Sequence, residues 1–360
     1  MTPEAPNPAQ GLSRPLVTRP ALVTPPPASS EPPRVISSAA SESIRKLRRA
    51  GIGTLIADRG FKLAVLVSSL SVVTVLGLIV FELWTKSQLS IVKFGLHFFV
   101  GRSWDPVQGN FGALPFIYGT LVSSLLALVI AVPLAIGTAV FVTELCPPRL
   151  KGVISFMVEL LATIPSVIYG LWAIFVLAPL LHDHVQPFLA KHFLWTGLFD
   201  GPGYGIGMLA AGIILAIMII PIISSITREV LTAVPQNQRE AVLALGATKW
   251  EMIRMAVLRN ARAGIFGAII LGLGRAVGET MAVTMIIGNR PEISKSLFAP
   301  GYTMASVIAN EFSEASDDLY LSALVEIGLV LLIVTLLVNA CAQFLIWSIT
   351  RGTPARAHAG

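Results

Sequence analysis

The sequence predicts an all-α integral membrane protein with six transmembrane helices. Of its 360 residues, 54% are hydrophobic and 13% are charged, against roughly 25% charged in an ordinary soluble domain. Six apolar segments reach the roughly 20 residues that carry a helix across a hydrocarbon core. None alternates like a barrel strand, and in lipid only helices or closed barrels satisfy every backbone polar group.

The elements follow in chain order. Met1 to Pro33 is rich in Pro, Ala, Ser and Thr and cannot bury enough apolar area to fold. Arg45-Lys46-Leu47-Arg48-Arg49 adds a basic juxtamembrane patch, so residues 1–60 read as a disordered tail. No short apolar core with a small-residue cleavage site follows, so this is not a secretory signal. The first span is Lys62–Leu83. In the connection Thr85 to Pro115, Ile91 to Val100 is apolar but too short to cross, and is expected in the interface or on the bundle. Trp104-Asp105-Pro106 and Gly109-Asn110-Phe111-Gly112 read as turns. The second span is Phe116–Val142 and the third Val153–Leu180. Pro202-Gly203-Tyr204-Gly205 closes the next connection, and Ile206–Ile226 is the fourth span. Ala263–Ile287 and Leu321–Trp347 complete the set. Residues 61–350 thus form one six-helix domain, and 351–360 a short second tail. Pro133, Pro165 and Pro221 interrupt spans and are expected to permit kinks.

Lys and Arg set the orientation. With the N-terminus cytoplasmic, the inner segments 1–61, 143–152, 227–262 and 348–360 hold eighteen basic residues and the outer segments six. The three-to-one bias places both termini inside. It also accounts for the net charge of +6 without nucleic acid as a partner. Cys146 and Cys341 fall near the inner side, so no disulfide framework is implied. His182-Asp183-His184, with His192 nearby, lies on an outer loop without a recognised ligand spacing, and no metal site is expected.

The inner loop 227–262 is too polar to span and too patterned to be a linker. Pro235 can start a helix and Gly246 can end one. A short helix over Glu240 to Leu245 and a second over Thr248 to Arg259 follow. In the second, Trp250, Ile253, Val257, Met252 and Ala256 can face the bundle, while Lys249, Arg254 and Arg259 stay wet. Such an element makes a knob for a socket on another protein.

Glu240-Ala241-Val242-x3-Gly246 resembles the EAA loop of permeases in ATP-binding-cassette importers. Where that pattern continues with Ile-x-Leu-Pro, this chain has Ala256-Val257-Leu258-Arg259, keeping the Leu alone. Phe116 to Ser124, Ile164 to Trp172 and Gly274-Arg275-Ala276-Val277-Gly278-Glu279-Thr280-Met281-Ala282 are similar to the phosphate-specific permeases of that family. The resemblance covers roughly residues 60–350. It implies a type I importer permease fold with alternating access, in a bacterial plasma membrane. The partners it implies are a second, PstA-like permease, two ATP-binding subunits and an extracytoplasmic phosphate-binding protein. It assigns ATPase coupling to Arg239, Glu240, Ala241, Leu245 and Gly246.

ATP and Mg are expected on the partner ATPases, and no cofactor or catalytic residue on this chain. A phosphate-cradling loop needs G-x-x-x-x-G-K-[ST], and the chain contains no Gly-Lys dipeptide. Gly272-x-Gly274-x-x-x-Gly278 follows no strand and is not a dinucleotide fingerprint; Gly274-x-x-x-Gly278 reads as a small face for helix packing.

Arg275 and Glu279 lie within the fifth span, where an ionised side chain costs ~2.5–3.5 kcal/mol on insertion scales. Their i, i+4 spacing puts them on one helix face, in the less favourable Arg-first order. Helix stability alone therefore does not explain the pair, which reads either as a buried pair fixing helix register or as a site on an anion's path; the resemblance to phosphate-specific permeases favours the second. Arginine donates two parallel hydrogen bonds to an oxyanion and keeps its proton. Glu279 has two candidate roles. It can accept the P–O–H of phosphate and repel sulfate, or neutralise Arg275 while the pathway is empty. Thr163, Ser166 and Tyr169 on the third span, and Thr280 and Thr284 on the fifth, can line the same path. Glu159 and Glu326 are further intramembrane carboxylates without an assigned substrate role. The alternatives are a permease for another oxyanion or solute, an ion-coupled secondary transporter, which would favour inverted repeats and discontinuous helices, and a scaffold or sensor.

Overall fold

A computed structural model describes residues 34–350, with side chains from Asp58 to Ser348; the expectations for residues 1–33 and 351–360 lie outside them. Among the described residues, the regular elements are helices and six are long and apolar enough to cross a membrane. Residues through Val73 form one compact unit and those from Thr74 a second.

Helix α1 (Arg34–Lys86) includes Arg45 to Arg49, so the helix begins well before the expected end of the tail. Along its apolar run, Phe61 to Phe81, the large side chains are exposed. The short helices α2 (Gln88–Phe94) and α3 (His97–Val100) turn the apolar stretch after the first span back onto the bundle, burying Phe98. Next come α4 (Leu114–Leu145), α5 (Pro148–Thr163) and α6 (Ser166–Thr196). They are followed by α7 (Met208–Thr232), α8 (Gln236–Ala244), α9 (Lys249–Val277), α10 (Met281–Ile286), α11 (Met304–Glu311) and α12 (Asp318–Thr350).

Helix α7 is the centre, its apolar window mostly buried. On α4, Gly119, Ser123, Ala127, Ala131, Ala135 and Ala139 recur every four residues, all buried. The row lets α4 lie close along α7. On α9 the matching row is Gly264, Ala268, Gly272 and Ala276. A Cβ at Gly264 would collide with the Val230 side chain, and one at Gly272 would stand 2.7 Å from that of Ile223. The close-packing face is therefore not Gly274-x-x-x-Gly278: nothing lies within 4 Å of a Cβ at Gly274. Two aromatic and aliphatic clusters close the ends of α4. At its start Phe98, Phe111, Phe116, Tyr302 and Tyr320 pack together, with Phe111 stacked on Tyr320 at 5.5 Å. At its other end Ala139, Leu231, Val234, Met252, Ile253 and Val257 do so.

Two spans differ from the sequence reading. The third does not run from Val153 to Leu180. Ile164 and Pro165 adopt extended ψ angles of 127° and 140° and separate α5 from α6. Proline disfavours the helical conformation of the residue before it and lacks an amide hydrogen, which accounts for the break. The span proper starts at Ser166 and carries on to Thr196, so His182 to His184 stand in a helical turn (Leu181–Val185) and not in a loop. The fifth span starts at Lys249 and stops at Val277. The expected second loop helix is its first part, and the connection shrinks to α8 and its flanks. Pro133 and Pro221 lie inside unbroken helices.

Candidate functional site

Arg275 closes the last turn of α9, and Gly278 caps that helix through its amide. Glu279 and Thr280 form the link to α10. The pair thus keeps its contact without sharing one continuous helix face: Arg275 Nη2 stands 3.2 Å from Glu279 Oε2. Glu279 Oε1 also accepts from the Ala282 amide at 3.4 Å, in the first turn of α10. The two side chains are placed very differently. The Arg275 side chain is 49% exposed and that of Glu279 only 3%. The carboxylate is an anchor behind the guanidinium, and the guanidinium keeps donors open.

The first turns of α6 pack against α10, which follows this link. A Cβ on Gly170 would approach Met285 Sδ to 2.5 Å and the Ala282 Cα to 3.3 Å. The buried Tyr169 hydroxyl donates to the Leu161 carbonyl at 2.7 Å and so bridges the Ile164–Pro165 break. Ser166 begins α6, half-buried. Thr163 is exposed and donates to the Leu160 carbonyl at 2.8 Å. Thr280 donates to the Gly278 carbonyl at 3.4 Å and Thr284 to the Thr280 carbonyl at 2.7 Å. The three threonine hydroxyls spend their hydrogens on the chain's own carbonyls, as Ser and Thr in membrane helices commonly do. Of the expected pathway set, the structure brings Arg275 and Glu279 into contact; Gly170 of α6 packs on Ala282 beyond them, while the Tyr169 hydroxyl turns to Leu161. An apolar groove of about 290 Å³, lined by Leu161, Ile164, Ile168, Tyr169, Trp172 and Ile217, opens at the same break.

The second region is α8. It starts at Gln236 after Pro235, four residues earlier than expected, and Gly246, at φ +84°, ends the turn that follows it. A capping box of Thr248 and Glu251 then begins α9. Glu240, Ala241, Leu243, Leu245 and Gly246 face outward, Leu245 at 88% exposure. Arg239 does not. Its Nη2 meets Glu144 Oε1 at 3.1 Å and donates to the Leu231 carbonyl at 2.7 Å. Trp250, expected against the bundle, is exposed, whereas Met252, Ile253, Ala256 and Val257 are buried as expected. Sequence reasoning missed Glu144 as the partner of Arg239, and Arg228 as the partner of Glu159 on α5. Glu326 is buried, with Oε2 unpaired.

A family model described as "Binding-protein-dependent transport system inner membrane component" matches residues 131–351. A Mesorhizobium japonicum protein named "Phosphate transport system permease protein PstC" is 45% identical over 326 residues, covering 88% of this chain and 100% of the relative. A Xylella fastidiosa protein of the same name is 48% identical over 261 residues, covering 71% and 80%. Among solved structures, a bacterial ABC transporter for import of the acidic polysaccharide alginate has a similar fold, at TM-score 0.50 and 16% identity, covering 66% of this chain and 79% of the other.

Proposed function

Since this chain belongs to the binding-protein-dependent transport system inner membrane components, with PstC-type permeases as its relatives, we propose that it is the membrane-spanning permease subunit of an ATP-driven phosphate importer. The observation that carries the substrate reading is the half-open guanidinium of Arg275, set at a helix break and backed by a buried carboxylate. Phosphate oxygens accept two parallel hydrogen bonds from that fork. In the empty pathway Glu279 pairs the charge, and arriving phosphate competes for it. Tyr169, Ser166, Thr163 and Thr280 flank the two breaks where this exchange takes place.

The exposed face of α8 receives the ATP-binding subunits. Glu240, Ala241, Leu245 and Gly246 supply the docking contacts. A second permease completes the pathway, and an extracytoplasmic binding protein delivers phosphate. The Lys and Arg bias puts α8 and both termini on the cytoplasmic side of a bacterial plasma membrane. ATP and Mg belong to the partner subunits, and this chain makes and breaks no covalent bond. Discontinuous helices alone would suit an ion-coupled carrier equally well; membership of the family favours the ATP-driven reading.

Copurification of the tagged chain with ATP-binding subunits, followed by ATP-dependent uptake in proteoliposomes competed by phosphate, sulfate and molybdate, tests the proposal. Competition by phosphate alone is expected. Uptake without ATP, or equal competition by sulfate, would overturn it.

A further inference from the structure

Arg239 and Glu144 form an ion pair whose side chains are only 14% and 9% exposed. Burying two charges is costly unless their remaining hydrogen-bonding groups are also engaged. Arg239 places most of its donors: Nη2 to Glu144 and to the Leu231 carbonyl, and Nη1 to Gln236 Oε1 at 3.2 Å, while Nε stays buried without a partner. Leu231 lies at the end of α7 and Glu144 at the end of α4. On the other flank of α8, Asn260 of α9 donates to Gln238 Oε1 at 2.6 Å. Three membrane helices thus hold one short helix.

Glu144 owes its aim to a local irregularity. The last turn of α4, Phe141–Leu145, is a π turn, which takes one residue more per bond ring than an α turn. The small inward row ends at Ala139, and the extra residue turns Glu144 onto that side. A π turn here has no role in the length or apolarity of the span.

We infer that Glu144 and Arg239 are positioning residues that transmit movement between α8 and the membrane helices. Arg239 is then a strut within this chain, not a contact to the docked ATPase. The inference rests on the reading of α8 as the ATPase-docking helix. A buried pair with shared donors holds two elements at a fixed distance, and the strut couples α8 directly to α4 and α7.

The test uses the assembled transporter in proteoliposomes, with ATP hydrolysis and phosphate uptake measured together. Glu144→Gln and Arg239→Gln are expected to keep the ATPase subunits bound and ATP hydrolysis running. Uptake per ATP hydrolysed should fall on the order of tenfold. The exchanged pair, Glu144→Arg with Arg239→Glu, should recover a substantial part of that ratio. Arg239→Gln releasing the ATPase subunits while Glu144→Gln leaves transport intact would overturn the inference and make Arg239 a docking residue. An unchanged ratio in both single variants would overturn it as well. If the exchanged pair fails to assemble, the Gln variants still decide through their ratios. Absence of phosphate uptake by the unsubstituted transporter would count against the functional proposal instead.

Discussion

Of the three arginine–glutamate pairs among the described residues, two, Arg275–Glu279 and Arg239–Glu144, are built from the same chemistry and differ in exposure. In Arg275–Glu279 the carboxylate is buried and the guanidinium half open. In Arg239–Glu144 both partners are enclosed, and the guanidinium divides its donors among a carboxylate, a backbone carbonyl and an amide oxygen. The first leaves its guanidinium half exposed; the second commits both Nη groups within the fold. On the proposed roles, accessibility of the guanidinium, more than the presence of the pair, separates a ligand site from a joint.

The largest expected effect breaks this comparison if it fails. Arg275→Ala should reduce phosphate uptake at least about a hundredfold, since two charge-assisted hydrogen bonds at ~1.5–3 kcal/mol each are lost. Copurification with the ATPase subunits should be retained. Loss of assembly would make Arg275 a joint after all.

Stability should run the other way. Glu144→Ala leaves a buried guanidinium unpaired and should destabilise the purified complex by about 3 kcal/mol or more. Arg275→Lys, which keeps a cation beside the buried Glu279, should cost under about 1 kcal/mol, because the half-exposed Arg275 end of that pair is screened by solvent. Thermal unfolding in detergent compares the two, and equal losses would erase the distinction.

Two smaller effects sharpen the picture around Arg275. Gly170→Val would press against the Ala282 backbone as well as the flexible Met285, and overpacking of this kind costs about 1–3 kcal/mol. It should lower uptake without changing ATPase copurification. Tyr169→Phe removes the hydroxyl that bridges the Pro165 break and should cost about 1 kcal/mol. A shift in melting temperature is its readout, with uptake falling only a few-fold. Uptake abolished by this substitution would place Tyr169 on the substrate itself.

Much of the fold was legible in the sequence because hydrocarbon thickness imposes a length on apolar runs. The fourth span and the last were recognisable for that reason. The pairing of Arg275 with Glu279 followed from their spacing alone. The break between them did not, because the residues after it, Met281 to Ile287, are as apolar as those before; only the polar Gly278-Glu279-Thr280 triplet hinted at it. Pro165 was noticed as an interruption but read as a kink, since the flanking segments merge into one apolar run. The start of the fifth span was hidden by charge. Arg254 and Arg259 lie on its outer face while Met252, Ile253, Ala256 and Val257 bury the inner one, so a helix with one charged face looks like a loop by composition. Glu144 had no sequence signal beyond lying just past a row of small residues, because its partner is 95 positions away in the chain.

Helix α8 spans nine residues. Isolated helices shorter than about 12–15 residues are marginal in water, so this segment keeps its shape on loan from its anchors. A synthetic peptide copying it should be mostly random coil and a poor competitor for any socket. Whatever recognises the folded knob is thereby inspecting the integrity of the whole bundle, and a misassembled chain would offer it nothing to grip.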